Sequence, residues 1–103
     1  MAGQAPHSVE VWKLDAFFAV LATFPPAQQK RITDFMAGHL SERPKVMVPG
    51  QLKELKGAWS GVYQLDCGKG RRLLYEVDDG ARKVRIIYLG EHPEWDKRHK
   101  MQR

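Results

Sequence analysis

The sequence predicts an α+β domain: an N-terminal strand, two helices, then a three-stranded antiparallel meander, with the helices packed on the sheet. Three observations carry that prediction. Ser8 to Leu14 alternates near the N-terminus. Apolar residues then recur at helical spacing as far as Leu40. Further on, three alternating runs are separated by the turn signals Gly68-Lys69-Gly70 and Asp79-Gly80.

In chain order, residues 1–6 read as a tail. In Ser8–Leu14 (SVEVWKL), Val9 and Val11 share one side while Trp12 and Leu14 fall near the other, the period of a strand. Asp15 is a good N-cap for a short helix from Ala16 to about Thr23, and Pro25-Pro26 stops it. The same prolines suit the first turn of a second helix from about Pro26 to Ser41, with Pro44 beyond its end. Ile32, Phe35, Met36 and Leu40 form its apolar stripe, and Gln28, Gln29, Lys30, Arg31 and Asp34 fill most of the rest. Val46–Pro49 reads as extended, and Gln51–Lys56 as a helical turn ended by Gly57. Strands follow over Gly61–Cys67, Arg71–Asp78 and Lys83–Leu89, the last with Val84, Ile86 and Tyr88 on one face. Glu91–Arg103 is polar and reads as a loose or short helical tail, flexible from about residue 97.

A length of 103 residues fits one domain spanning 1–103. With 43% hydrophobic and 28% charged residues, the composition is that of a folded chain rather than a disordered one. The longest apolar run, Ala16–Ala22, is far short of the ~20 residues a membrane span needs. Met1–His7 has neither the charged start nor the apolar stretch of a signal peptide. Cys67 is the single cysteine, so no internal disulfide forms; together these features point to a cytoplasmic protein. The net charge of +5 is unevenly placed. Residues 1–42 carry three basic and four acidic side chains; residues 43–103 carry fourteen basic and eight acidic. That asymmetry suits a polyanionic partner for the C-terminal part, or simply a solvated basic surface.

Three segments carry a resemblance. Leu55-Lys56-Gly57-Ala58-Trp59-Ser60-Gly61 leads into the meander. Gly70-Arg71-Arg72-Leu73-Leu74-Tyr75-Glu76-Val77 is its central strand, and Tyr88-Leu89-Gly90-Glu91-His92 ends its last one. In this order and spacing they resemble the RelE/ParE superfamily of toxins, and the third is similar to the end of the last strand in YafQ-like members. The resemblance spans roughly residues 8–95. It implies the toxin of a type II toxin–antitoxin system, bound by a cognate antitoxin in a hetero-oligomer. It further implies an endoribonuclease acting on messenger RNA, on the ribosome, with no metal and no cofactor. The superfamily also contains ParE-like proteins that inhibit DNA gyrase without catalysis, so the fold alone does not choose between them.

Cleavage by a 2′-hydroxyl requires a base, an acid for the 5′-oxygen and a cation for the phosphorane charge. The resemblance assigns Arg72 as the cation; the alternative is a structural salt bridge to Glu76 or Asp66. It assigns His92 as general acid or base; the alternative is an exposed surface histidine. Asp66 falls where YafQ-like toxins have a histidine, and RelE uses lysines in this strand. It is a candidate base or a group that holds Arg72 or His92 in place, or else a turn residue before Gly68, with Glu54 as the fallback. Lys53, Lys56, Lys69 and Arg71 are candidate phosphate contacts, and Trp95 a stacking platform for a base. Trp59 reads as a core residue beside Gly57 and Gly61. The chain has no Gly-rich phosphate loop and no Cys/His set at zinc spacing, and Cys67 reads as a small hydrophobe.

Overall fold

Lys13, in the left-handed region at φ 56°, turns the chain sharply from strand β1 (Ser8–Val11) into helix α1 (Leu14–Leu21). The strand therefore ends sooner than its alternation suggests, and the helix starts sooner. Asp15 is not the N-cap but lies in the first turn, where a carboxylate favours the positive end of the helix dipole. Helix α2 (Pro26–Phe35) starts on a proline, and a π-helical turn, Met36–Leu40, continues it. Residues 6–68 and 70–91 are described by this computed structural model. Among them no helix is long and apolar enough to cross a membrane.

The remaining strands are β2 (Leu52–Glu54), β3 (Val62–Gly68), β4 (Arg71–Asp78) and β5 (Lys83–Glu91). They form a five-stranded sheet in the order β1-β5-β4-β3-β2, antiparallel except for β1 beside β5. β2 is where a helical turn was expected. Leu52 pairs with Leu65 and is buried, and the backbone of β2 satisfies the open edge of β3, which a helical turn would leave unpaired. A 3-10 turn at Gly57–Trp59 then leads back into β3.

The sheet has two differently dressed faces. Helices cover one. Phe17, Leu21, Phe24, Ile32 and Leu40 meet Leu65, Leu73, Tyr75, Val84 and Ile86 there. On the other face Val62, Leu74 and Ile87 are buried, with Leu55, Trp59 and Tyr88 packed against them. A register shift puts Ile87 as an extra residue between the pairs Tyr75–Ile86 and Leu74–Tyr88. It corrects the simple alternation expected for β5: Val84, Ile86 and Leu89 face the helices, while Tyr88 turns to the second face.

Candidate functional site

Cross-strand pairing assembles a polar groove on the second face. β3 and β4 place Asp66 opposite Arg72, and β2 and β3 place Lys53 opposite Gln64. Because Gln64 and Asp66 are two residues apart, all four side chains share one face. Cys67 is the extra residue of a bulge between the pairs Asp66–Arg72 and Gly68–Arg71. The bulge increases the local twist beside Arg72. Together with Gly50, Gln51 and Leu52, the four residues line a groove of about 280 Å³.

Arg72 is mostly buried, at 20% side-chain exposure, yet poorly partnered. Its Nη1 lies 3.7 Å from Asp66 Oδ1, an ion-pair distance too long for a hydrogen bond. Nη1 also donates a long 3.4 Å bond to the Arg71 carbonyl, and Nε is buried with no acceptor among the described residues. Such a guanidinium keeps donors available for an incoming anion. Asp66 is half exposed, and its Oδ1 accepts the Gly68 N–H at 2.9 Å. The cross-strand ion pair is thus to Asp66, whereas Glu76 lies against Arg85 at 3.7 Å.

Gln64 was not singled out from the sequence. It is the one polar side chain in the buried set of described residues, at 8% exposure, and it lines the groove. The legible signal was a glutamine at the middle of an otherwise apolar strand, two residues before Asp66.

The other expected contacts divide. Lys53 is exposed and lines the groove; Lys56 is exposed but outside its lining. Arg71 points to the helix side, where Nη1 donates to Gln28 Oε1 at 2.9 Å and the guanidinium covers the Phe24 ring at 4.6 Å. It holds α2 to the sheet and does not join the rim around Arg72. Glu54 pairs with Tyr63, on the opposite face from Lys53, so strand alternation removes it as a fallback base. Lys69, His92 and Trp95 lie outside the described residues.

Trp59 packs on the second-face cluster. Cys67 is 1% exposed, and burial pushes its thiol up to about 11, so it carries no thiolate chemistry near neutral pH. A larger cleft, about 340 Å³, is lined by Glu10, Glu76, Asp78, Lys83 and Arg85. Its cations are already matched, Lys83 to Glu10 at 3.0 Å and Arg85 to Glu76 at 3.7 Å, so the smaller groove is the better anion site. Among the described residues no group of three or more His, Cys, Asp or Glu is placed to hold a metal ion.

No protein-family model and no curated protein matches the chain. Solved structures do. The toxin–antitoxin complex RelBE2 of Mycobacterium tuberculosis matches at 24% identity and a TM-score of 0.63, over 88% of this chain and 97% of that one. A YoeB/ParE toxin from Agrobacterium tumefaciens matches at 18% identity and 0.67, over 84% and 99%. The archaeal RelE–RelB complex of Pyrococcus horikoshii matches at 23% and 0.62, over 85% and 97%. This chain has the RelE/ParE toxin fold. At these identities the likeness concerns the fold, α+β with an N-terminal strand, two helices and the antiparallel strands after them. On this RelE/ParE sheet the groove lies on the face turned away from the helices.

Proposed function

We propose that the chain is the toxin of a type II toxin–antitoxin pair and a metal-independent endoribonuclease that cuts messenger RNA on the ribosome. The observation that carries this reading is Arg72: a mostly buried guanidinium in a groove, with an unpartnered Nε and only a long contact to a carboxylate. Arg72 stabilises the charge that collects on the phosphorane oxygens, where a preorganised cation is worth most. Asp66 takes the proton of the 2′-hydroxyl, whose oxygen forms a bond to phosphorus. The P–O5′ bond breaks and His92 gives its proton to the leaving oxygen. The products are a 2′,3′-cyclic phosphate and a 5′-hydroxyl. Lys53 holds the neighbouring phosphate, Lys56 and Lys69 add sequence-independent contacts, and Trp95 stacks on a base.

The M. tuberculosis and P. horikoshii proteins were each solved as a toxin–antitoxin complex. A cognate antitoxin is the corresponding partner here, presenting an acidic segment to the basic C-terminal part. Induced alone in bacteria, the chain is expected to arrest growth and protein synthesis within minutes. Primer extension on a message translated in vitro is expected to show new cuts. Uncut messages and continuing translation, with replication stalled by gyrase-linked DNA breaks, would replace this reading.

That second reading is a ParE-like gyrase inhibitor without catalysis. One observation favours it: neither β3 nor β4 places a lysine or histidine in the groove, and Asp66 already serves as a turn acceptor for Gly68.

A further inference from the structure

Gln28 grips both strands of the β3–β4 pair from the helix side of the sheet. It is the third residue of α2 and is half-buried. Its Nε2 donates to the Cys67 carbonyl on β3 at 3.0 Å, and its Oε1 accepts from Arg71 Nη1 on β4 at 2.9 Å. Cys67 is the bulge residue and has no cross-strand partner, so a side chain supplies a donor where the ladder is interrupted. The next residue is shaped to the same contact. Gly68 has φ 93°, and a Cβ there would stand 3.1 Å from Gln28 Nε2.

The other side of that bulge is the groove. Asp66, the residue before Cys67, pairs across the strands with Arg72, the residue after Arg71. Asp66 Oδ1 accepts the Gly68 N–H at 2.9 Å and lies 3.7 Å from Arg72 Nη1. A change in the Cys67–Gly68 backbone therefore moves the N–H that pins the carboxylate. Arg72 cannot correct for it, because its own contacts to Asp66 and the Arg71 carbonyl are long. The link is confined to the bulge: Tyr75, further along β4, is bonded to the Pro44 carbonyl instead.

We infer that Gln28 is a positioning residue, whose amide fixes the β3 bulge from behind and so sets the placement of Asp66 against Arg72. The inference rests on the reading that these two residues act on the scissile phosphodiester. An amide is the group the position needs, because one arm donates to a carbonyl and the other accepts from a guanidinium. A carboxylate keeps only the second bond, an aliphatic chain keeps neither, and asparagine is one methylene too short to make both. Displacing a reacting group by ~1 Å can cost about 10²-fold in rate, so a bond on the far side of the sheet is enough to govern the chemistry.

Gln28→Glu separates positioning from fastening. The carboxylate keeps the hold of α2 on Arg71, whose charge keeps it ionised, and a glutamate in the first turn favours the helix dipole. It loses only the donor to the Cys67 carbonyl. Message cleavage by the full chain is expected to show kcat reduced about tenfold to 10²-fold and KM within about threefold, at a melting temperature no lower than the wild type's. Gln29→Leu is the control. The Gln29 amide donates to the Phe24 carbonyl at 2.8 Å, between the two helices, and its loss is expected to leave kcat unchanged. Wild-type cleavage by Gln28→Glu, or an equal loss in both variants, overturns the inference. The Arg72 Nε–Hε resonance reads the pair without catalysis. It is expected to shift in Gln28→Met, which brings no charge, and to stay in place in Gln29→Leu. If the wild-type chain cuts no message, the cleavage reading falls and this resonance decides: a shift in Gln28→Met supports the positioning role, and no shift overturns it. Should the Gln28 variants fail to fold, inorganic phosphate is titrated into the wild type. Gln28 side-chain amide resonances that move together with Arg72 Nε–Hε support the link through the bulge, and Gln28 resonances that stay fixed overturn it.

Discussion

The two faces of one sheet solve opposite problems. On the helix side the Tyr75 hydroxyl donates to the Pro44 carbonyl at 2.6 Å, and Arg71 is held by Gln28 and Phe24. On the other side, one residue further along the same strand, Arg72 has a long ion pair and an orphaned Nε. Adjacent arginines of one strand thus meet different fates because side chains alternate across the pleat. Arg71 is satisfied on the face that holds the fold together, whereas Arg72 keeps an open donor on the groove face.

The strongest way to break this contrast is to truncate one residue on each side of β4. Leu73→Ala empties a fully buried position under the helices and is expected to cost about 2–5 kcal/mol of stability. In a domain of this size that lowers the melting temperature by roughly 4–8 °C per kcal/mol. Arg72→Ala is expected to do the reverse. Cleavage falls roughly 10²–10³-fold, about 3–4 kcal/mol in the transition state, while stability falls by less than in Leu73→Ala, because Arg72 makes only long contacts to Asp66 and the Arg71 carbonyl. Arg72→Lys recovers little, because an ammonium lacks the two-pronged donor geometry. Thermal unfolding and message cleavage on the same preparations check both. A destabilised Arg72→Ala that still cuts at the wild-type rate would make Arg72 a structural residue and merge the two faces into one.

Local signals made most of this fold legible. Pro25-Pro26 and the stripe from Ile32 to Leu40 marked the second helix, and the glycine-bearing turns separated β3, β4 and β5. What escaped was set by distant partners. Leu52–Glu54 is a three-residue edge strand whose conformation comes from pairing with β3, and Gln51–Lys56 by itself carries no alternation long enough to announce it. The parallel pairing of β1 with β5 joins residues about 75 positions apart and has no local signature. At the site, Arg72 and Asp66 were legible from the family strand and prove to be cross-strand partners. Gln64 was not, because a glutamine in a strand means nothing until its burial and its place in the groove are known.

A smaller change sharpens the comparison within the helix side. Tyr75→Phe removes the hydroxyl and leaves the Pro44 carbonyl without its donor in a buried setting. The expected loss is about 1–3 kcal/mol, with cleavage unchanged. Burial also holds the phenol well above its ordinary value, so wild-type stability is not expected to depend on its titration below pH 10. Reduced cleavage in a Tyr75→Phe protein of unaltered melting temperature would show that the two faces communicate, contrary to their separation here.

The smallest expected effect is a pH dependence, and it also belongs to the helix side. His39 sits in the π-helical turn after α2, its ring stacked on Phe35 at 4.9 Å and its Nε2 2.8 Å from the Val46 carbonyl. Partial burial pushes its pKa below the ordinary histidine value; the Val46 carbonyl opposes the shift and the Arg43 charge reinforces it. The neutral ring, donating through Nε2–H, is therefore the form that the fold prefers. Below an unfolded value near 6.5 the unfolded chain binds the proton more readily than the folded one. Its contribution to stability is thus complete above about pH 6.5 and is lost as the pH falls from there toward the lower folded value. His39→Gln keeps a donor for Val46 and removes the titration. Melting temperatures of the two proteins, measured in parallel from pH 8 to pH 5, are expected to diverge by a few degrees or less, with the wild type losing more. His7, whose Nε2 is 3.7 Å from Asp79, is present in both and drops out of the difference. Parallel curves over the whole range would mean that His39 pays no burial cost on protonation. The Val46 carbonyl would then be stabilising the imidazolium as well as the neutral ring.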